Sequence, residues 1–359
     1  MHRIPRPILA KIQGLSLTPK ILVCLAALSA AACHPVVPKA ASPAIVRVCL
    51  SDRPVPGSAP DKAGMILIKG GEFQMGARPM HAEEGPPRPI KVNDFWMDST
   101  EVTNSDFARF IKATGYVTQA ERPLDPKAYP GVTGEDLKPS AIVFVGSAEN
   151  VEAGPGAWWR VVRGANWRHP QGPDSSIEGL DNLPVVQIGF EDAMAYAKWL
   201  GRDLPTEAEW EYAAQGGKPA TRFVWGDETL NEAKPQANVW QGTFPSFDSG
   251  GDGYKAQVAP VGCFPVNGFG LHDMAGNVWE WTKDWYRPNL DPNDPNGGPK
   301  GDLAMDPGDP GVRKHVIKGG SFLCSPNYCF RYRPAAREPG PTDTGESHIG
   351  FRTVLRIKG

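Results

Sequence analysis

The 359-residue chain has no apolar run long enough to cross a bilayer, no excess of basic residues, and only six cysteines and seven histidines. The longest apolar stretch, residues 21–32, is shorter than the ~20 residues a membrane span needs, which makes a permanent transmembrane helix the weaker reading. A formal net charge of −2 argues against nucleic acid as a partner. The cysteines and histidines show no zinc spacing, and no internal repeat is visible. Forty Gly and 37 Pro make long regular helices unexpected, while 11 Trp and 14 Phe can build a core. Length leaves two domains or one large irregular domain open, and a loop-rich fold is expected.

The chain opens on Arg3, Arg6, Lys11 and Lys20 without an acid, followed by the apolar run and small residues before Cys33. This reads as an export signal over 1–32. Ser29-Ala30-Ala31-Ala32-Cys33 resembles a lipobox, so lipidation at Cys33 and simple cleavage into the periplasm are both open. Removing 1–32 takes away four positive charges and leaves a net −6. Residues 33–62, with Pro35, Pro38, Pro43, Pro54, Pro56 and Pro60, suit a tether, and the folded domain runs over 63–359.

Within it, residues 65–68 read as a strand and 70–76 as a turn into a second. Thr103 and Asp106 begin a short helix, with Phe107, Phe110 and Ile111 on one face and Gly115 as its stop. A strand over 185–188 and a helix from about Glu191 to Leu200 follow. Thr206-Glu207-Ala208-Glu209 fits a capping box, and capping with solvation accounts for its glutamates. Residues 287–312 read as a long surface loop.

The most informative feature is the C-x4-C pair Cys324 and Cys329, inside Gly319-Gly320-Ser321-Phe322-Leu323-Cys324-Ser325-Pro326-Asn327-Tyr328-Cys329-Phe330-Arg331. Residue chemistry leaves a disulfide, a soft-metal site and a redox pair open. Cys263 is expected to be free, because pairing with Cys49 requires the tether to fold back.

Several blocks decide the context. They are Phe95-Trp96-Met97-Asp98-Ser99-Thr100-Glu101, Gly164-Ala165-Asn166-Trp167-Arg168-His169-Pro170, Leu204-Pro205-Thr206-Glu207-Ala208-Glu209-Trp210-Glu211, and Gly276-Asn277-Val278-Trp279-Glu280-Trp281, together with the cysteine segment. Over residues 64–357 the chain resembles the formylglycine-generating enzymes, or sulfatase-modifying factors, which implies a single irregular, loop-rich α+β domain of their C-type-lectin-like fold.

The resemblance implies that Cys324 and Cys329 bind copper(I) and form a disulfide without it. The reaction it implies uses O2 to convert a cysteine in a Cys-x-Pro-x-Arg-type segment of a sulfatase into Cα-formylglycine. Ser321, Tyr328, Trp279 and Arg337 take the positions of active-site residues. Calcium is implied at Asn238, Val239, Asp252 and Tyr254, and again at Asp273, Gly276, Val278 and Glu280. Asp273 replaces an asparagine of human-type members, Ser325 a histidine and His348 an asparagine. Pro334 and Thr353 replace cysteines, so two disulfides of those members are absent. The expected partner is a sulfatase polypeptide, with a membrane reached only through a lipid at Cys33 and the chain acting as a monomer. A non-catalytic scaffold of the same fold and an oxidase of another peptide are the alternatives.

Overall fold

The computed structural model describes residues 49–50, 54, 62–127, 129, 131–146, 157–230, 234–288, 305–306 and 309–357. The export signal, Cys33 and most of the tether lie outside them.

Short elements dominate, as the Gly and Pro content requires. The chain runs β1 (Met65–Ile68), β2 (Gly71–Met75), β3 (Arg88–Val92), β4 (Phe95–Asp98), α1 (Asn104–Thr114), β5 (Ser140–Phe144), β6 (Trp159–Arg163), α2 (Phe190–Trp199) and α3 (Glu207–Gln215). It continues through β7 (Trp279–Trp285), β8 (Met305–Asp306), β9 (Asp309–Lys318), β10 (Glu338–Pro341), β11 (Ile349–Gly350) and β12 (Val354–Arg356). One sheet has the order β1-β4-β12, so β4 lies between the first strand and the last. The larger sheet runs β10-β9-β7-β11, with β8 on β9, and β2-β3 and β5-β6 are hairpins.

The caps form as the sequence suggests. The Thr103 hydroxyl accepts the Asp106 N–H and Asp106 reaches back to the Thr103 N–H, while Gly115 ends α1 in the left-handed region. Thr206 and Glu209 make the same reciprocal box for α3. From α1, Phe107 and Phe110 meet Tyr196 of α2, with Trp167 and Phe351 closing the cluster.

Four expectations change. Residues 185–188 are buried but form no strand, because Gln187 adopts φ 62, which a β-ladder does not accommodate. The amide of Gln187 reaches the carbonyls of Pro170 and Ile142 instead. Of the supposed loop over 287–312, residues 305–306 form β8 and 309–312 begin β9, with Met305 opposite Arg313 and Asp306 opposite Asp309; residues 289–304 and 307–308 lie outside the described set. Cys263 is not free: it forms a disulfide with Cys49, 214 positions away, so the end of the tether does fold back.

The fourth concerns the glutamates of α3. Glu207 and Glu211 are buried rather than solvated. Glu207 takes two hydrogen bonds from Arg337, at 2.7 and 3.0 Å, and Glu211 pairs with Lys318 at 3.1 Å. Helix position alone could not reveal partners more than 100 residues away.

His315 of β9 lies between the Phe190 and Trp285 rings, with Nδ1 3.0 Å from the Lys283 carbonyl oxygen. Burial pushes its pKa down to about 4. The unfolded chain therefore binds the proton more readily, and the contribution of His315 to stability is complete above about 6.5 and lost as pH falls through about 4. The expected size is on the order of 3 kcal/mol. Urea unfolding of His315→Gln should show a flatter pH dependence across this window than the parent protein.

Candidate active site

Strand β9 delivers the chain to the cysteines through Gly319 and Gly320, with φ 95 and 75. A Cβ on Gly319 would lie 3.1 Å from the Trp210 ring, and one on Gly320 3.0 Å from the Tyr332 backbone. Conformation and close approach both call for glycine here.

Past the turn, neighbouring backbone fixes the segment. Phe322 N–H donates to the Asn277 carbonyl at 2.9 Å, Cys324 N–H to that of Ser321 at 2.9 Å, and Trp240 N–H to that of Cys324 at 3.0 Å. A second turn closes on Ser325, whose carbonyl accepts from Tyr328 N–H at 3.1 Å and Cys329 N–H at 3.0 Å. It brings the two cysteine Cα atoms to 4.5 Å, and the pair is joined as a disulfide. Both cysteines are buried in the main apolar core.

Ser321 is fully buried, and its hydroxyl oxygen accepts from Leu323 N–H at 3.3 Å. Tyr328 stacks on Phe244 with centroids 4.2 Å apart and meets Trp158 edge-on at 5.4 Å. Burial, then the charges of Glu338 and Glu346, push its phenol up to about 12, so it is protonated at neutral pH. Trp279 is fully buried with Nε1 unpartnered among the described residues, and its backbone N–H donates to the His348 carbonyl.

His348 packs against Trp159 at 4.8 Å, and neither ring nitrogen has a hydrogen-bond partner among the described residues. Its Nδ1 lies 3.4 Å from Glu346, but burial pushes the imidazole down to about 3, so this contact is not an ion pair at neutral pH. Ser325 is buried, with its hydroxyl committed to Asn327 and the Gly242 carbonyl. It acts as a turn residue.

Arg337 stands apart from this group. Its guanidinium is 1% exposed, bonded twice to Glu207 and once each to the carbonyls of Glu83 and Arg287, and lies 5.0 Å over Tyr286. The expected groove residue is a strut behind the cysteine segment. What its sequence position concealed is the wall of Trp158, Trp159, Trp240 and Phe244 around Phe322 and Leu323. The adjacent tryptophans 158 and 159 were the available signal. A separate cleft of about 300 Å³ at the start of α3, lined by Arg88, Glu207, Asp284 and Arg356, contains neither cysteine.

The oxygen-rich positions divide in two. The Asp252 carboxylate accepts the Val239 and Tyr254 N–H groups, and the Asn238 amide donates to Asn277 and to the Gln257 carbonyl. In the second group, Asp273 Oδ2 accepts Gly262 N–H, while Asp273 Oδ1 and Glu101 Oε2 are buried without hydrogen-bond partners among the described residues. Burial raises both carboxyls, and each is the other's neighbour. Both Glu280 oxygens accept hydrogen bonds, from Arg352 and Trp210. Glu101, unflagged in the sequence, supplies an open oxygen.

The chain belongs to the sulfatase-modifying factor enzyme 1-like domain family, whose model matches residues 52–357. It is 49% identical over 293 residues to the formylglycine-generating enzyme of Mycobacterium tuberculosis, covering 81% of this chain and 97% of that one. It is also 39% identical over 294 residues to the inactive Cα-formylglycine-generating enzyme 2 of Bos taurus, covering 80% and 86%. PvdO from Pseudomonas aeruginosa shares the fold, with a TM-score of 0.52 at 24% identity over 82% of this chain and 95% of that one. The fold is thus the loop-rich one expected.

Arg337→Ala should cost about 3 kcal/mol in urea unfolding, because it leaves the buried Glu207 charge with only the more distant Lys318, at 3.7 Å, as an ion-pair partner among the described residues. Glu207→Gln should also destabilise, and the double variant should lose less than the two single losses together.

Proposed function

We propose that the protein oxidises a cysteine of a sulfatase polypeptide to Cα-formylglycine and so activates the sulfatase. The observation that carries this reading is the buried Cys324–Cys329 pair, closed by its own turn beside Tyr328 and Trp158. The relation to the mycobacterial enzyme, at 49% identity over 97% of its length, supports it.

In the reaction, the substrate Cβ gives up two electrons with O2 as acceptor, and hydrolysis of the resulting thioaldehyde releases sulfide and leaves the aldehyde. The chain's own disulfide must first be opened by exchange with an external thiol, two equivalents of which leave as their disulfide, to give Cys324 and Cys329 as thiols. Two thiolates in an apolar shell, with no His, Asp or Glu grouped with them among the described residues, suit a soft ion of low coordination number, and Cys324 and Cys329 would hold copper(I). When bound, that ion supplies activation of O2. The aromatic wall excludes water, and the protonated Tyr328 phenol can donate a hydrogen bond toward the substrate.

The orphaned oxygens of Asp273 and Glu101 fit a hard cation, with backbone carbonyls such as those of Gly276 and Val278 completing the shell, and calcium is our reading. Asp252, Asn238, Val239 and Tyr254 would form the other site. Export to an oxidising compartment agrees with the Cys49–Cys263 disulfide, with a soluble periplasmic product and a lipid at Cys33 as the two forms.

The test is incubation of reduced protein with copper(I), O2 and a Cys-x-Pro-x-Arg peptide, read by mass spectrometry. Conversion to the aldehyde is expected in the parent and only background in Cys324→Ser and Cys329→Ser. No conversion and no copper binding by the reduced protein would instead favour the scaffold reading suggested by the inactive bovine relative.

Calcium at 100 times its dissociation constant should stabilise the fold by about 2.7 kcal/mol for each site filled. A thermal midpoint unmoved by calcium and by chelator would remove both cation sites from this account.

A further inference from the structure

The hairpin β5-β6 has one occupied edge and one open edge. Gly164 N–H donates to the Pro139 carbonyl at 2.9 Å and Val145 N–H to that of Trp158 at 2.8 Å, bracketing the ladder. With Phe144 opposite Trp159 and Ile142 opposite Val161, the antiparallel alternation turns the N–H and C=O groups of 160 and 162 toward β5. Those of Trp159, Val161 and Arg163 point away from it. On the far side of β5, Ile142 N–H donates to the Gly345 carbonyl and Ser347 N–H to that of Ile142, so that edge is taken. No described residue pairs with the outer edge of β6.

The open edge also leads to the cysteines. At one end the Trp159 ring packs on His348, and the adjacent Trp158 ring lies 5.4 Å from Tyr328, next to Cys329. At its centre Val161 is 49% exposed. Arg163 is drawn aside to Asp136 at 2.8 Å, so no charge lies over that valine from its own end of the strand. An unpaired strand edge with an exposed β-branched residue is a template for another extended chain unless it is blunted; this one carries no Pro or bulge, and its exposed Arg160 stands on the face opposite Val161.

We infer that the outer edge of β6 is a docking rail for an extended stretch of the client polypeptide, which adds as a further strand and is thereby led to the cysteine pair. This rests on the proposed function for the identity of the client. The binding mode is main-chain pairing, with alternate client residues facing Val161 and the tryptophan wall. Recognition along the rail is therefore insensitive to side chain and sensitive to backbone N–H groups. It also requires a client segment free to be extended.

Val161→Pro removes one outward-facing N–H and places a ring on the rail, leaving the inward ladder at 160 and 162. With a synthetic peptide that extends several residues on either side of a Cys-x-Pro-x-Arg segment, KM should rise about fivefold for each hydrogen bond lost, with kcat unchanged. A peptide trimmed to the segment itself should show no difference between variant and parent. Against the parent protein, a scan of backbone N-methyl groups along the flanks should weaken binding at every second position, read by fluorescence anisotropy. This scan decides the matter if Val161→Pro does not fold. Alternating binding losses without conversion would keep the rail and sink the oxidase reading. An N-methyl scan without alternation, or a KM unmoved in a folded Val161→Pro, would overturn the rail.

Discussion

The buried pair of Glu280 and Arg352 is the contact on which the rest of the molecule hangs. Arg352 bonds both oxygens of Glu280 at 2.7 Å and also donates to the carbonyls of Asp98 and His272. Trp210 donates to Glu280 from α3 at 2.8 Å. One carboxylate thus joins β4, α3, β7 and the C-terminal segment, and its neighbour Trp279 carries the contact to His348. Breaking such a pair leaves an uncompensated charge in the interior, a far larger cost than any surface ion pair contributes.

Around that centre the chain spends its regular structure on support and its irregular structure on chemistry. The cysteine segment is held by the Asn277 carbonyl and the Trp240 N–H rather than by a ladder, and the ring of Trp210 lies against its first glycine. Behind it, Glu207, Glu211, Lys318 and Arg337 form buried ion pairs that fix α3 against the end of β9. The aromatic wall on the other side is contributed by β6 and by loops that share no sheet with it. A site built this way can position two sulfurs without exposing them.

Local signals were legible where the physics is local. The caps at Thr103 and Thr206, the stop at Gly115 and the apolar face of α1 follow from hydrogen bonds and spacings within a single turn. Where distant partners decide, the same reading fell short. Glu207 and Glu211 looked like solvated capping acids until Arg337 and Lys318 were placed beside them, and Arg337 looked like a groove residue until Glu207 claimed it. Residues 185–188 read as a strand because they are apolar, yet the φ of Gln187 is set by contacts with Pro170 and Ile142.

By itself the sequence determined the fold class, the family and the two cysteines at the centre, because motif blocks and a five-residue spacing survive in one dimension. Only the tertiary structure decided that Cys49 returns to Cys263, that Glu101 stands beside Asp273, and that no described residue pairs with the outer edge of β6. Each of these is a relation between segments far apart in the chain, created by burial and pairing geometry after the local turns have formed.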